Sequence, residues 1–557
     1  MKDNTMAQEI STLQKVRSEY QPKLPAALKS GNIKIELGEP SHPETDQEEI
    51  KALFPKTYGQ PLVKIVEGDG GLTTEPLTVG VVLSGGQAPG GHNVIAGLFD
   101  ALKAANKDSK LFGFLKGPGG AIKGKCVEIT AELVDKYRNT GGFDMIMSGR
   151  DKIEKPEHLQ SCRENFEKMG LDGLVIIGGD DSNTNAAMLA EYLREQGCKT
   201  SIIGVPKTID GDMKNGLIEA SFGFDTACKV YSELIGNIAR DATSAVKYWH
   251  FVRLMGRAAS HVTLECALQT HPNITLISEE VQAKGTTLEE IVDYIAGVVV
   301  DRAEQGRNYG VLLVPEGLPE FISDIKVMID ELSALLGKDE EYIYSLPDHS
   351  ERAQYISGEL SAQSAKVYNT LPVDIQEVLL RRDSHGNVPL SQVETERLLI
   401  DLVSDKIREI KAHDGKDFVK FSPLGHFFGY EGRCAAPTNF DADYTYSLGY
   451  TAAQLVRANL TGYTVMVQNL TKTSDQWVAG GVPVTMMLNM ETRKGKRVPV
   501  IKKALVDCDG APFKEFAENR ENWAINDEFT FPGPIQYFGP SEVADQTTKT
   551  LALEKGC

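Results

Sequence analysis

LDGLVIIGGDDSNTNAAMLAEYLREQGCKTSIIGVPKTIDG, residues 171–211, decides the fold of this chain. It holds two apolar runs, Leu174–Ile177 and Ser201–Val205, and each breaks into an acidic turn bearing hydroxyl side chains. The segment between them has helical periodicity, so the stretch predicts strand, loop, helix, strand, loop. Both acidic turns then fall at strand carboxyl ends, the edge of an open parallel sheet where ligands bind. Asp180, Asp181, Asp210 and Asp212 would share one crevice there with Lys207 and Thr208.

That grouping points to metal-assisted phosphoryl transfer. The reaction needs alignment, charge neutralisation over the moving group and a destination for the acceptor hydroxyl's proton. Asp180 is placed to hold Mg2+, which takes carboxylate oxygens together with phosphate and water. Asp210 can accept the proton, a contribution of about 10²–10⁴-fold, and Asp212 on the same turn can orient it or raise its pKa. Lys207 can neutralise a phosphoryl oxygen as a point charge, and Thr208 can donate a hydrogen bond. A plainer reading stays open for each motif alone. GGDDS could be a helix cap with Ser182 or Asn183 at the N-cap and acidic residues favouring the dipole. TIDGD could be an Asx turn. Their pairing, one helical unit apart and joined by a lysine, favours the chemical reading.

Upstream, LTVGVVLSGGQAPGGHNVIAGLFDALKAA, residues 77–105, predicts a strand, a Gly-rich turn and a helix. Gly85 and Gly86 leave no Cβ in the way of an approaching group, and free N–H groups at the helix start make an anion cradle. The spacing is neither that of a P-loop nor that of a dinucleotide fingerprint, and tight packing alone would also explain the glycines. GGFDMIMSGRDKI closes an apolar run on Arg150, a candidate phosphate clamp because guanidinium pairs bidentately with phosphoryl oxygens. The stretch FGFLKGPGGAIKGK reads as turns, and residues 1–75 as a partly helical N-terminal extension.

Downstream, the strands Tyr248–Leu254 and Val311–Val314 end on Met255-Gly256-Arg257 and Pro315-Glu316-Gly317, implying a second α/β lobe facing the first across a cleft. Residues 319–415 read as a helical insertion, with a capping-box spacing from Ser391 to Glu394. Tyr430-Glu431-Gly432-Arg433 reads as a loop before a long helix, and the tail past 540 is polar. Trp249, His250, His92 and the pair Met486-Met487 read as packing residues.

The whole chain narrows the classes of function. Its 557 residues can bury a sizeable core in two or three domains. A net charge of −19 argues against nucleic-acid or anionic-membrane binding. It also means that a site for phosphorylated substrates must build its own cationic pocket. The eight cysteines are scattered without ligand spacing, which fits reduced thiols in a cytoplasmic protein. No signal-peptide core is seen, nor an apolar run of about 18 residues able to span a bilayer.

GVVLSGGQAPGGHN, SGRDKI, IIGGDDSNTNA, PKTIDGD, KYWHFVRLMGR, VPEG and GYEGR occur in this order. Over residues 75–540 the chain thereby resembles the phosphofructokinase superfamily, and within it the long pyrophosphate-dependent branch. The resemblance implies two Rossmann-like α/β lobes with mainly parallel sheets, a helical insertion and an N-terminal extension. The expected division is 1–75 extension, 76–245 pyrophosphate and Mg2+ lobe, 246–318 with 416–540 sugar-phosphate lobe, 319–415 insertion, and 541–557 tail. It implies Mg2+-dependent, reversible transfer from pyrophosphate to the C1 hydroxyl of fructose 6-phosphate. Gly85 would approach pyrophosphate, Asp180 would bind Mg2+, and Asp210 would accept the proton, with Thr208 and Ile209 lining its turn. Met255, Gly256, Arg257, Glu316, Tyr430, Glu431, Gly432 and Arg433 would hold the sugar phosphate, and Arg150 would bridge the two ligands. Lys247 and Tyr248 would reach into a neighbouring subunit's site, so the resemblance implies at least a dimer, expected to be a homodimer.

ATP-using members of the family carry glycine at the positions of Asp181 and Lys207. A carboxylate at 181 would crowd and repel a nucleotide's α-phosphate, whereas pyrophosphate ends before reaching it. Three rival functions remain: an ATP-dependent 6-phosphofructokinase, a lipid or NAD kinase sharing only the GGD turn, and a catalytically silent regulatory subunit.

Overall fold

Strands form where the chain carries short, unbroken apolar runs. Thr78–Ser84, Gly173–Gly178 and Ser201–Pro206 are buried along nearly all their length, as parallel strands covered by helices on both faces are. The structure, a computed structural model, describes residues 10–381, 393–493 and 496–557. In chain order its strands are β1 (Ile33–Pro40), β2 (Pro61–Glu67), β3 (Thr78–Ser84), β4 (Lys110–Phe114), β5 (Cys126–Ile129), β6 (Ser148–Gly149), β7 (Gly173–Gly178) and β8 (Ser201–Pro206). There follow β9 (Trp249–Leu254), β10 (Ile274–Thr275), β11 (Gly310–Pro315), β12 (Pro423–Phe428), β13 (Tyr463–Gln468), β14 (Val478–Pro483), β15 (Leu488–Arg493) and β16 (Lys496–Ile501). They divide between two units. The first runs from the first described residue to Ala227 and adds Tyr430–Ala504 and Ile535–Leu551; the second is Cys228–Gly429, Leu505–Pro534 and Ala552–Cys557.

The first unit holds a ten-stranded sheet of order β1-β2-β14-β13-β8-β7-β3-β4-β5, with β6 pairing β3. Neighbours from β13 through β8, β7 and β3 to β4 are parallel. The outer pairs β1–β2, β2–β14, β13–β14 and β4–β5 are antiparallel. From β3 the chain moves to β4 on one side and later returns to β7 on the other. Strand order therefore reverses at β3, and the turns after β3 and β7 open on the switch point, the ligand edge of such a sheet.

The helix Gly91–Ala105, which follows the Gly-rich turn, is seated against Asn439–Arg457 with backbones almost touching. A Cβ added at Gly97 would stand 2.1 Å from the Tyr446 carbonyl oxygen, and one at Gly449 2.0 Å from that of Val94. Two hydrogen side chains, one on each helix, permit this approach.

The structure differs from the sequence reading at several places in this unit. Residues 416–540 were expected in the second lobe, but Tyr430–Ala504 lies in the first. The reason is strand pairing: β13 joins β8 in parallel, and β14 carries the sheet on to β2. The N-terminal segment has the expected short helices, Thr12–Ser18, Ala26–Lys29 and Gln47–Leu53, but also β1 and β2. PLVKIVE alternates and buries Val63 and Ile65, a period-two signal hidden among the Pro and Gly breakers. FGFLKGPGGAIKGK is not only turns, since it holds most of β4 and the helix Pro118–Lys123.

The second unit is built on a parallel sheet of order β10-β11-β9-β12. Helices Ser323–Ser345, His349–Glu359, Ala362–Thr370, Val373–Leu380 and Thr395–Asp414 occupy the segment read as a helical insertion. They share one core with the sheet, where Met328, Leu332 and Leu336 belong to the same cluster as Phe251, Leu312 and Val314. The capping-box expectation begins at Ser391, which lies outside the described residues. Among the described residues no helix is long and apolar enough to cross a membrane.

Candidate active site

The acidic turns lie where the strands end. β7 ends at Gly178, and the helix Asp180–Glu195 begins two residues later with Gly179 at its N-cap and no side-chain cap bond. The helix-cap reading of GGDDS is therefore set aside. The Ser182 hydroxyl donates to Ser84 Oγ at 2.8 Å, while Asn183 Nδ2 donates to the carbonyls of Gly178 (2.7 Å) and Gly179 (3.0 Å). Asn183 thus braces the β7 turn from beneath and leaves Asp180 and Asp181 at its mouth. The helix is held from its other end by Glu191, which accepts from the N–H groups of Lys56 (2.7 Å) and Thr57 (2.9 Å) and from the Thr57 hydroxyl (2.7 Å).

β8 ends at Pro206, so Lys207 is the first residue beyond it. Its ammonium is buried, at 6% exposure, and would lie 3.5 Å from a Cβ placed on Gly85. Burial pushes its pKa down to about 8 and Arg433 adds to this, while Asp210, Asp180 and Asp212 act in the opposite sense. Thr208 organises the turn: its hydroxyl accepts from the Asp210 N–H at 3.0 Å, and its carbonyl accepts from the Ser221 hydroxyl at 3.1 Å. Ile209 is buried beneath it.

The Gly-rich turn after β3 faces the same edge. Gly85 has φ +80°, a left-handed conformation that glycine adopts without strain, and its N–H donates to Gly149 O at 2.9 Å. β6 pairs Ser148 and Gly149 with Leu83 and Ser84, which sets exposed Arg150 directly beside this turn. Tyr430-Glu431-Gly432-Arg433 is a short helix rather than a loop. Arg433 belongs to this unit and stacks its guanidinium over Gly86, with Nε donating to Gln87 O at 3.0 Å. Tyr430 is exposed at 66% and Glu431 is also exposed.

Three cations escaped the sequence reading. Asp181 is bridged by Lys152 to Oδ2 and by Arg493 to Oδ1, each at 3.2 Å. Burial opposes ionisation of Asp181, but Lys152 and Arg493 outweigh it and hold its pKa below the usual carboxylate value. Arg493 also meets Glu491 at 3.2 Å. Lys503 lies 3.5 Å from Asp180 Oδ2 and 3.6 Å from Asp212 Oδ2. Lys503 closes the run PVIKK, so a charge following an apolar strand, the feature that drew attention to Arg150, was present there too.

In the second unit Met255, Gly256 and Arg257 follow β9, and Glu316 follows β11. These turns interlock: Gly256 N–H donates to Glu316 Oε2 at 3.2 Å, and Met255 N–H to Phe428 O at 3.0 Å. A Cβ on Gly317 would stand 2.0 Å from the Arg257 carbonyl oxygen. Lys247 and Tyr248 precede β9 and stand at its amino end, about 20 Å from Met255–Arg257 by strand rise. Lys247 is exposed, with Nζ 4.7 Å from the Tyr248 ring centre.

The donor set fits Mg2+. Among the described residues no three metal-binding side chains gather as a cage, but Mg2+ commonly uses one or two carboxylates with phosphate and water. Asp180 is partly exposed, and an ammonium already stands against Asp180 and Asp212, so the carboxylates attract a cation at this spot.

The phosphofructokinase family profile matches residues 78–358. A pyrophosphate–fructose 6-phosphate 1-phosphotransferase of Porphyromonas gingivalis is 54% identical over 546 residues, covering 98% of this chain and 99% of that protein. The chain belongs to the phosphofructokinase family. The protein of the same name from Treponema pallidum is 50% identical, with 98% of this chain and 97% of that one aligned. The Solanum tuberosum protein named as its subunit beta is 51% identical, with 98% and 94% aligned. Among solved structures, the pyrophosphate-dependent phosphofructokinase of Nitrosospira multiformis matches with a TM-score of 0.52 and 14% identity, covering 86% of this chain and 97% of that one. At that identity the likeness is one of fold.

Proposed function

We infer that the protein is an enzyme that transfers a phosphoryl group from pyrophosphate to the C1 hydroxyl of fructose 6-phosphate. The products are fructose 1,6-bisphosphate and phosphate, and the reaction runs in both directions. What supports this reading is end-to-end similarity to proteins of that activity, with Asp180, Asp210, Asp212 and Lys207 gathered on one sheet edge. The Solanum tuberosum relative is named a beta subunit, while an Arabidopsis thaliana protein named subunit alpha 2 is 40% identical.

The first unit binds the donor. The backbone at Gly85 and Gly86 and the Lys207 ammonium take phosphoryl oxygens, and Arg150 adds a clamp beside the turn. Arg433, which the family resemblance assigns to the sugar phosphate, stands over Gly86 and is assigned to the donor instead. Asp180 would hold Mg2+, which would supply neutralising charge to the donor's oxygens. Asp210 takes the proton of the attacking hydroxyl, its backbone fixed by Thr208, and Asp212 stands beside it on the same turn. Asp181, clamped by Lys152 and Arg493, fills the space that the α-phosphate of a nucleotide needs.

The second unit binds the sugar phosphate through Met255, Gly256, Arg257 and Glu316. Lys247 and Tyr248, at the far end of β9, serve the sugar phosphate of a neighbouring subunit in a homodimer. Scattered thiols and phosphorylated metabolites agree with a cytoplasmic location. A coupled assay of the purified protein with fructose 6-phosphate and Mg2+, the donor alternating between pyrophosphate and ATP, tests the reading. Turnover with pyrophosphate is expected; turnover with ATP alone would overturn it.

A further inference from the structure

Lys503 belongs to no part of the machinery assigned above. It follows β16, and the backbone on either side of it is pinned. The Lys502 N–H donates to Met487 O at 3.1 Å, and the Ala504 N–H to Asp212 O at 2.8 Å. The Lys502 side chain turns to Glu44 at 3.1 Å. Lys503 turns the other way, with its ammonium between Asp180 and Asp212.

Charge-assisted N–H···O bonds run to about 2.7–2.9 Å. The separations of 3.5 and 3.6 Å are longer, and the ammonium is shared between the two carboxylates. Its side chain keeps 39% exposure. A cavity of about 390 Å³, lined by Lys503 with Lys214, Met487 and Asn489, opens beside it. An anion arriving beside Asp180, Asp210 and Asp212 meets the repulsion of three carboxylates. Lys207 is buried, whereas Lys503 reaches the solvent from which the anion comes.

We propose that Lys503 is a donor-binding residue whose ammonium leaves the loose Asp180–Asp212 bridge to contact a phosphoryl oxygen of pyrophosphate. This rests on the functional reading above. A phosphoryl oxygen draws the ammonium to hydrogen-bond distance, and Asp180 and Asp212 are then relieved of the bridge.

Calorimetric titration of inorganic pyrophosphate into the protein with Mg2+, no sugar phosphate being present, reads donor binding without turnover. Lys503→Gln is expected to bind pyrophosphate about 10–100-fold more weakly. Lys503→Arg should recover most of the affinity. The thermal midpoint and the KM for fructose 6-phosphate should stay close to those of the unaltered protein. Equal or tighter pyrophosphate binding by Lys503→Gln overturns the proposal. So does an equal loss in both variants accompanied by a lowered thermal midpoint, which would mark a structural role. Failure of the unaltered protein to bind pyrophosphate overturns the donor reading itself, and this inference with it.

Discussion

The guanidinium of Arg433 lies over Gly86 so closely that a Cβ built on that glycine would stand 1.8 Å from its Nη2. The neighbour is the far end of a flexible side chain, so Gly86→Ala should fold but displace the guanidinium from the proposed phosphate cradle. We expect kcat/KM for pyrophosphate to fall about 10–100-fold, the loss of one charge-assisted contact, with an unchanged thermal midpoint. Steady-state kinetics beside a melting curve would check this.

Asp181 is the centre of an ion bridge rather than a lone carboxylate, since Lys152 and Arg493 each take one of its oxygens. Asp181→Gly removes the obstruction and leaves two cations facing the vacated space. Like-charge juxtaposition costs several kcal/mol, so kcat/KM for ATP should rise by at least about 10-fold. Adding Lys207→Gly should depress pyrophosphate use further. Both variants are to be assayed with both donors, and an unaltered preference in each would remove the explanation.

Asp210 is assigned the acceptor's proton. Asp210→Ser should therefore reduce turnover by about 10²–10⁴-fold, while fructose 6-phosphate still binds with near-normal affinity. Rapid-quench kinetics and equilibrium dialysis separate the two effects. Ordinary turnover in this variant would contradict the assignment.

Burial pushes the Lys207 pKa down to about 8, and the charged ammonium is the form assigned to phosphoryl oxygens. Hence kcat/KM for pyrophosphate, which reports the free enzyme, should decline as pH rises through about 8. Lys207→Arg should move that limb to higher pH. The effect on folding has the opposite sign. Between about 8 and 10.5 the unfolded chain binds more protons at this lysine than the folded one does, so its contribution to stability grows as pH climbs through that window. A pH–rate profile and denaturation at matched pH values measure the two.

Gly449 faces the Val94 carbonyl across two helices, where a backbone oxygen cannot rotate aside. Gly449→Ala should destabilise the protein by about 3 kcal/mol, the upper end for overpacking, and displace the helix that follows the Gly-rich turn. Chemical denaturation gives the first effect, and a weakened affinity for pyrophosphate the second.

Several features were legible in the sequence because they are local. LVIIG, SIIGV and WHFVRL are apolar runs closed by turn residues, and they form β7, β8 and β9. The acidic and basic residues just after them therefore had to sit at strand carboxyl ends. Asp180, Lys207 and Arg257 could be placed from that alone, and the order of the motifs was enough to suggest the family. Folding joined what no period records. β13 pairs with β8 across much of the chain, which draws Tyr430–Ala504 into the first unit and brings Arg433 over Gly86. The β15–β16 hairpin then delivers Arg493 and Lys503 to neighbouring aspartates. Periodicity reflects burial against the nearest layer. An ion pair between residues 312 positions apart leaves no such trace, because its partners meet only after the strands between them have found their register.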